Sequence, residues 1–471
     1  MFIKSFKSLL IVSFFCGGTL STTISFAQGT PVEFKEPCGQ VELIKQLENK
    51  YPGFRIQYDQ DYLSSIKRSS TVGKRRKVIR DTTYYYDTIY TVRVVFHVLY
   101  SNAAENIHDS LLFNQIEVLN QDFRRLNSDT FKTRNVFKSR AGDTRIEFEL
   151  ATTDPNGNPT NGIVRKATSV TSWGTANGIS ELMKYNANGG SSAWDPKSYL
   201  NIWVCDMTYQ NQDRILGFAY PPYGHPSWPS SSWTSDPNQG VVLHYKVTGR
   251  NNPRSTGATL GSSNKGRVAV HEVGHYFGLR HIWADDQFQA NRCLLDDYID
   301  DTPLQGVGAN FTCNLTQNTC WSGQNDLPDM IENYMDYSTH DCQNLFTRQQ
   351  SQVMRAALVD SRPGVISKTR IEERMRIFDT TVYNKILIYP INKEDKIVVE
   401  MPNEEFDDLL SVEVYNAVGQ KIIQNTRITS NETILKPVRH APGLYVVVLL
   451  KGGGDDNSPI KIIRKEKIFL D

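Results

Sequence analysis

The sequence predicts an α+β fold joined to a small C-terminal β-sandwich, and three observations carry that reading. Residues 92–100 (VRVVFHVLY) are β-branched and aromatic almost throughout, the composition of a buried strand. Leu112, Ile116, Leu119, Phe123 and Leu126 then recur at steps of three and four, the apolar stripe of an amphipathic helix. Strand-like runs follow at 146–151, 199–205 and 240–245, so strands and helices mix within one domain. Beyond about residue 365, short β-rich runs at 385–389, 396–401, 410–415, 444–450 and 460–464 alternate with turn residues such as Gly419 and Pro442-Gly443. That is the spacing of a sandwich. Gly and Pro clusters at 154–159 and 220–229 read as loops.

The chain has 471 residues, about three domains' worth at roughly 150 residues each. Lys and Arg number 52 against 51 Asp and Glu, a net charge of +1, which excludes a general electrostatic grip on nucleic acid or on an anionic membrane. Lys4 and Lys7 precede an apolar run at 9–15, and Ser25-Phe26-Ala27 offers small residues for a signal peptidase. Residues 1–27 are therefore expected to be a secretory signal peptide cut near Ala27. The bulky Phe14 and Phe15 argue against lipidation at Cys16, and no later segment is apolar enough to span a bilayer. Residues 28–80 are polar and end in a basic run at 74–77, which suits protease trimming of a propeptide. A catalytic domain at 81–362, a linker at 363–380 and a β-sandwich at 381–471 complete the expected organisation. Four of the seven cysteines lie within 293–342, which suits disulfides in an exported chain; four cysteines allow three pairings. Cys205 is expected to be a buried thiol.

The chemistry concentrates in His271-Glu272-Val-Gly-His275-Tyr-Phe-Gly278-Leu-Arg-His281. Residues four apart share a helix face, so His271 and His275 can present their imidazoles to one metal. Glu272 sits beside the first ligand, where its carboxylate reaches a water rather than the metal. Gly278 permits a sharp helix exit with positive φ, which lets the chain swing His281 into a third ligand position. Three histidines leave one of zinc's four positions open, the hallmark of a catalytic rather than a closed site. His97 and His244, inside strand-like runs, read instead as packed side chains, and His108, His225 and His440 as surface or loop residues.

This motif resembles the metzincin signature, and Asn333-Tyr334-Met335-Asp336-Tyr337-Ser338 downstream resembles the methionine turn of that class. Within it the chain is similar to the compact bacterial members of the pappalysin family. Val94-Val95-Phe96-His97-Val98, Asp154-Pro155-Asn156-Gly157, Asn161-Gly162-Ile163 and Leu200-Asn201-Ile202-Trp203-Val204 carry the likeness with the zinc and Met-turn segments. The resemblance implies a twisted mixed sheet, a backing helix, an active-site helix and a C-terminal subdomain with Met335 beneath the metal. It implies a secreted zinc-dependent endopeptidase acting on protein or peptide substrates, with Glu272 as base and Tyr337 near the reacting carbonyl. It also implies disulfides Cys293–Cys320 and Cys313–Cys342, and a structural Ca²⁺ near Asp296-Asp297-Tyr298-Ile299-Asp300-Asp301-Thr302, where Asp297, Asp301 and Thr302 are the candidate ligands. Where basic-selective relatives place an acidic residue after the Met-turn, His340 stands here, with Asp341 beside it. Residues 216–220 are a candidate rim for substrate bound in extended form.

Cys38-Gly39 is a candidate latency switch: its thiolate could fill the open zinc position. The C-terminal segment resembles the sorting domain of type IX secretion cargo. The likeness rests on Ile388-Tyr389-Pro390, Val412-Glu413-Val414-Tyr415-Asn416-Ala417-Val418-Gly419, Ala441-Pro442-Gly443-Leu444-Tyr445 and Lys461-Ile462-Ile463-Arg464-Lys465. It implies partnership with that machinery and export through the periplasm of a Gram-negative bacterium to the medium or cell surface. The competing reading from another class is a noncatalytic adhesin or binding module that keeps the fold. An intact Glu272 argues against it. A zinc enzyme acting on a nonpeptide amide is the third reading.

Overall fold

The computed structural model describes residues 37–69, 74–79, 82–176, 178–222, 238–285, 292–323, 326–376, 386–391, 396–400, 410–428, 432–436, 442–451 and 461–470. The expected signal peptide (1–27) with Cys16, and also His225 and His440, lie outside the described residues.

Helices α1 (Gln40–Lys50) and α2 (Phe54–Ser69) come first, then the antiparallel pair β1 (Lys74–Ile79) and β2 (Thr82–Tyr100). The basic run at 74–77, read in the sequence as suited to protease trimming, is strand here: its main chain pairs with residues 84–87 of β2. Helix α3 (Asp109–Phe123) and the short α4 (Asn135–Lys138) and β3 (Ala141–Gly142) lead to β4 (Ile146–Leu150), parallel to β2. β5 (Ile163–Ala167) and β6 (Leu200–Cys205) also run parallel to β2, and β8 (Val241–His244) parallel to β6. β7 (Gly217–Ala219) is antiparallel to β8 and closes the order β1-β2-β6-β8-β7. The result is the twisted mixed sheet the sequence anticipates.

One face of this sheet, with Val92, Val94, Phe96 and Val98, packs on α3 through Leu112, Val118, Leu119 and Phe123. The periodic stripe holds to Phe123. Leu126 lies past the helix end and is 70% exposed, because Arg124 already leaves the helix and Arg125 takes a positive φ. Beside α3, and in contact with β7 and β8, lies α6 (Arg267–Tyr276), preceded by the short α5 (Gly257–Gly261), and every residue of α6 is buried. Arg267, at its first turn, donates to Asp122 at the end of α3 and to Asp129, which balances a cation placed at the unfavourable helix end. The other sheet face, with Leu99, Trp203, Phe218, Tyr220 and Val242, shares an apolar cluster with Leu43, Ile44 and Leu47 of α1.

A loop-rich segment crossed by two disulfides, β9 (Phe346–Thr347) and α7 (Arg348–Ser361) complete this domain. The expected linker contains β10 (Ile366–Arg376), which pairs antiparallel with residues 83–92 of β2. Its charged composition disguises it: Lys368 and Arg370 reach Glu149 and Glu147, and main-chain pairing needs no apolar side chain. Beyond it stand two sheets, β11 (Leu387–Ile391), β12 (Lys396–Glu400) and β15 (Glu432–Leu435), and β14 (Lys421–Arg427), β13 (Leu410–Asn416), β16 (Gly443–Lys451) and β17 (Lys461–Leu470). They bury Ile397, Val399, Val412, Val414, Val447 and Leu449 between them, the expected β-sandwich. Among the described residues no helix is long and apolar enough to cross a membrane.

Candidate active site

Helix α6 carries His271 and His275 one turn apart, and its C-terminus is built to bring in His281. Gly278 sits at φ +93, Gly278 N donates to His275 O (2.9 Å), and Leu279 N donates to Gly274 O (3.0 Å). This left-handed termination reverses the chain within one residue, which only glycine does without a Cβ penalty. The same turn aims Leu279 O at His275 Nδ1 (2.8 Å). Tyr334 O accepts from His271 Nδ1 (2.7 Å), and Asp285 takes the Nδ1 of His281. With each Nδ1 held by an acceptor, each Nε2 turns its lone pair inward.

The three Nε2 atoms lie 3.1, 3.2 and 3.2 Å apart. Nitrogens at about 2.0–2.1 Å from one tetrahedral zinc stand about 3.3 Å apart, so the donor set fits that ion. Burial and mutual repulsion keep His271 far below the usual imidazole range, and burial pushes His275 down to about 3; both are neutral donors. Burial works against the Asp285 carboxylate, but His281, His275 and Arg280 together hold it below the usual range.

Glu272 is buried against β7, where a Cβ built on Gly217 would lie 2.7 Å from its Cγ. Burial raises its carboxyl to about 8, opposed by a hydrogen bond from Cys38. Met335 packs beneath α6, its Sδ 2.6 Å from where a Cβ on Gly274 would stand. The Tyr337 ring lies 4.8 Å from that of His281 and 5.6 Å from that of His271. Trp283 stacks on His281 at 4.7 Å, which the sequence reading missed along with Asp285.

Cys38 joins this group. Its Sγ and the three histidine nitrogens lie within 4.8 Å of one another, and the thiol donates to Glu272 Oε2 (3.5 Å). Two main-chain bonds hold it there: Leu216 N to Pro37 O (2.7 Å) and Gly39 N to Gly217 O (2.8 Å). The N-terminal segment thus occupies the edge of β7 predicted as a substrate rim. A second hold lies on α2, where Tyr58 and Tyr62 flank the Arg280 guanidinium at 4.7 and 4.3 Å, and Asp59 pairs with it at 2.5 Å. Tyr62 also donates to Asp297 O (2.6 Å).

The disulfides are Cys293–Cys320 and Cys313–Cys342, as the resemblance implies. Cys205 is a buried free thiol. His97 and His244 are buried, hydrogen-bonded to Ser191 and Asn201 and to Asp213 respectively; His108 caps α3 at the surface. Asp297 is fully buried and accepts from Thr302 Oγ1 (2.8 Å). Asp297 Oδ2 and Asp301 Oδ1 are buried without a hydrogen-bond partner. Burial pushes Asp297 well up and Asp301 to about 6. Among the described residues, only the Cys38–histidine group gathers three or more His, Cys, Asp or Glu donors around one point.

A mixed sheet packed on two helices, with three converging imidazoles, a buried glutamate and a methionine beneath, defines a metzincin-type zinc peptidase. The family model for M43 peptidases, described as pregnancy-associated plasma protein-A, matches residues 184–359. Extracellular metalloproteases of Arthroderma gypseum and Arthroderma otae are 26% and 29% identical over 270 and 276 residues. These alignments cover 56% and 58% of this chain and 71% and 80% of the relatives. Among solved structures, mirolysin in complex with a compound is 40% identical (TM-score 0.51), covering 59% of this chain and 94% of that one. A promirolysin mutant of Tannerella forsythia is 35% identical (TM-score 0.55), covering 70% and 95%. The chain belongs to the pappalysin family of metzincins. It is a secreted zinc metalloendopeptidase, and the reading as a noncatalytic binding module falls away.

Proposed function

We propose that His271, His275 and His281 hold the catalytic zinc and that Glu272 is the proton-transfer group of peptide hydrolysis. The observation that carries this is the set of Nε2 atoms 3.1–3.2 Å apart with Glu272 at the next position. Bound there, zinc supplies Lewis acidity toward a water and a peptide carbonyl. Glu272 takes the proton of the attacking water and passes it to the departing amine nitrogen, a shuttle that suits a carboxyl whose pKa burial raises. Tyr337, its ring beside those of His271 and His281, donates from its phenol to the developing oxyanion. Asp285, Tyr334 O and Leu279 O are positioning groups that fix the imidazole tautomers. The test is Glu272→Ala. Peptidase activity should fall by about 10²-fold or more while zinc stoichiometry persists; wild-type turnover would refute the role.

Residues 28–80 act as a propeptide that keeps the precursor latent. Cys38 takes the position the water needs, β7 is occupied along its edge, and Arg280, next to a zinc ligand, is clasped by Tyr58, Tyr62 and Asp59. Removal of this segment frees all three at once. The catalytic domain spans 81–362 and extends through β10, and 381–471 forms the sorting domain of a type IX secretion substrate, after an N-terminal signal peptide cut near Ala27. Export through the periplasm of a Gram-negative bacterium follows from that assignment. Asp297, Asp301 and Thr302 supply ligands to a structural Ca²⁺; two buried carboxylate oxygens without donors are what a hard cation satisfies.

A further inference from the structure

The segment that carries Cys38 is fastened to the rest of the chain along its length. On α1, Leu43, Ile44 and Leu47 share one buried cluster with Trp203, Phe218, Tyr220 and Val242 of the sheet. On α2, Phe54 and Tyr58 stack on each other (ring centroids 5.9 Å apart) and join the same cluster, while Tyr62 enters the main core. All six side chains are buried. The turn between the helices is closed by Glu48, which accepts from Gly53 N (2.9 Å) and Arg55 N (2.7 Å), so α1 and α2 are tied to each other as well as to the sheet. β1 then pairs through its main chain with residues 82–87 of β2.

None of these contacts, nor the clasp on Arg280, nor the bonds of Pro37 and Gly39 to β7, uses the peptide bonds at 80–81. Covalent continuity there contributes only proximity, an effective concentration of about the millimolar range for a short connection. A cut replaces that by the real concentration, a loss of about 100-fold for protein at about 10 μM. Six buried apolar side chains and a guanidinium held between two aromatic faces can offset such a loss several times over. Departure would in turn bare the Trp203, Phe218 and Tyr220 face and take from Arg280 the carboxylate of Asp59.

We propose that this sheet face and Arg280 form a docking surface that holds the α1–α2 pair as a separate polypeptide, so that one cut near residue 80 yields a latent noncovalent complex and activity appears only as that complex dissociates. The inference rests on the propeptide reading of residues 28–80 and deepens it. The test is a zinc-loaded precursor with the recognition sequence of a site-specific protease at 80–81, cut to completion and otherwise intact by mass spectrometry. Residues 28–80 should co-elute with the enzyme in size-exclusion chromatography. Turnover of a quenched peptide per molecule at about 10 μM should stay below about a tenth of its value at about 10 nM. Asp59→Ala with Tyr62→Ala should shift the onset of activity to concentrations at least about tenfold higher, while both uncut precursors stay silent. A second precursor with the sequence at 70–73 should behave alike; activity freed by that cut but not by the one at 80–81 would show β1 to be the hold and overturn docking by the helices. Separate elution with equal activity at both concentrations, or co-elution with full activity, would overturn the proposal and leave the propeptide reading standing. An uncut precursor as active as the cut one, or silence at every dilution in wild type and double variant alike, would overturn both.

Discussion

Replacing Gly39 by Ala probes how tightly latency is built. The native backbone there (φ −79, ψ 8) suits alanine, so the change adds a methyl group and little else. That methyl would stand 2.4 Å from Ile179 Cγ2 and 3.1 Å from Phe218 Cβ, well inside van der Waals contact. Ile179 is 4% exposed and β-branched, so its Cγ2 cannot swing aside as the end of a flexible chain would. Phe218 is fixed in β7, and the opposite side of the residue is tied by Gly39 N to Gly217 O. Overpacking a tight contact costs about 1–3 kcal/mol. Charged to the closed state of the propeptide, that is about 5- to 150-fold more open, active precursor. The assay is turnover of a quenched peptide by uncleaved precursor, its integrity checked by mass spectrometry. A Gly39→Ala precursor as silent as wild type would refute the close-contact reasoning, and Cys38→Ser in the same assay separates the thiol's contribution from the steric one.

Two further outcomes follow from the same geometry. Asp285→Ala should weaken zinc retention by about 10- to 100-fold in a chelator competition, and Asp285→Asn by less, because the amide oxygen can still accept from His281 Nδ1 and Asn tolerates the positive φ of 62. Removing Ca²⁺ under conditions that spare zinc should lower the unfolding temperature, since an ion bound only by the folded state stabilises it; no shift at any calcium concentration would return residues 296–302 to a plain acidic loop.

The parts of this site legible in the sequence are those where one local pattern fixes the chemistry. His271, Glu272, His275, Gly278 and His281 lie within one helix and its termination, so period and a glycine suffice to place them. Cys38 was legible only as a cysteine–glycine pair ahead of the main domain, and its position beside the three histidines depends on pairing with Gly217, far away in the chain. Asp285 carries no motif of its own, and its role arises from a non-glycine residue at positive φ after a turn. The Arg280 clasp joins α2 to the zinc loop through aromatic faces, contacts that no spacing rule encodes. β10 escaped because its charged residues mask a strand whose pairing is made by main chain, and Leu126 misled because periodicity continued past the residue where the helix ended. The disulfide pairing came from family likeness, since the cysteines' order leaves three choices.

The most direct test is the zinc K-edge absorption of the uncleaved, zinc-loaded precursor and of the processed enzyme. In the precursor, three nitrogen neighbours at about 2.0–2.1 Å and one sulfur at about 2.3 Å are expected. In the processed enzyme the sulfur should be gone, with an oxygen in its place, and Glu272→Ala should leave the nitrogen count unchanged. A precursor spectrum without sulfur would contradict the placement of Cys38, and fewer than three imidazole nitrogens in the processed enzyme would contradict the assignment of His271, His275 and His281.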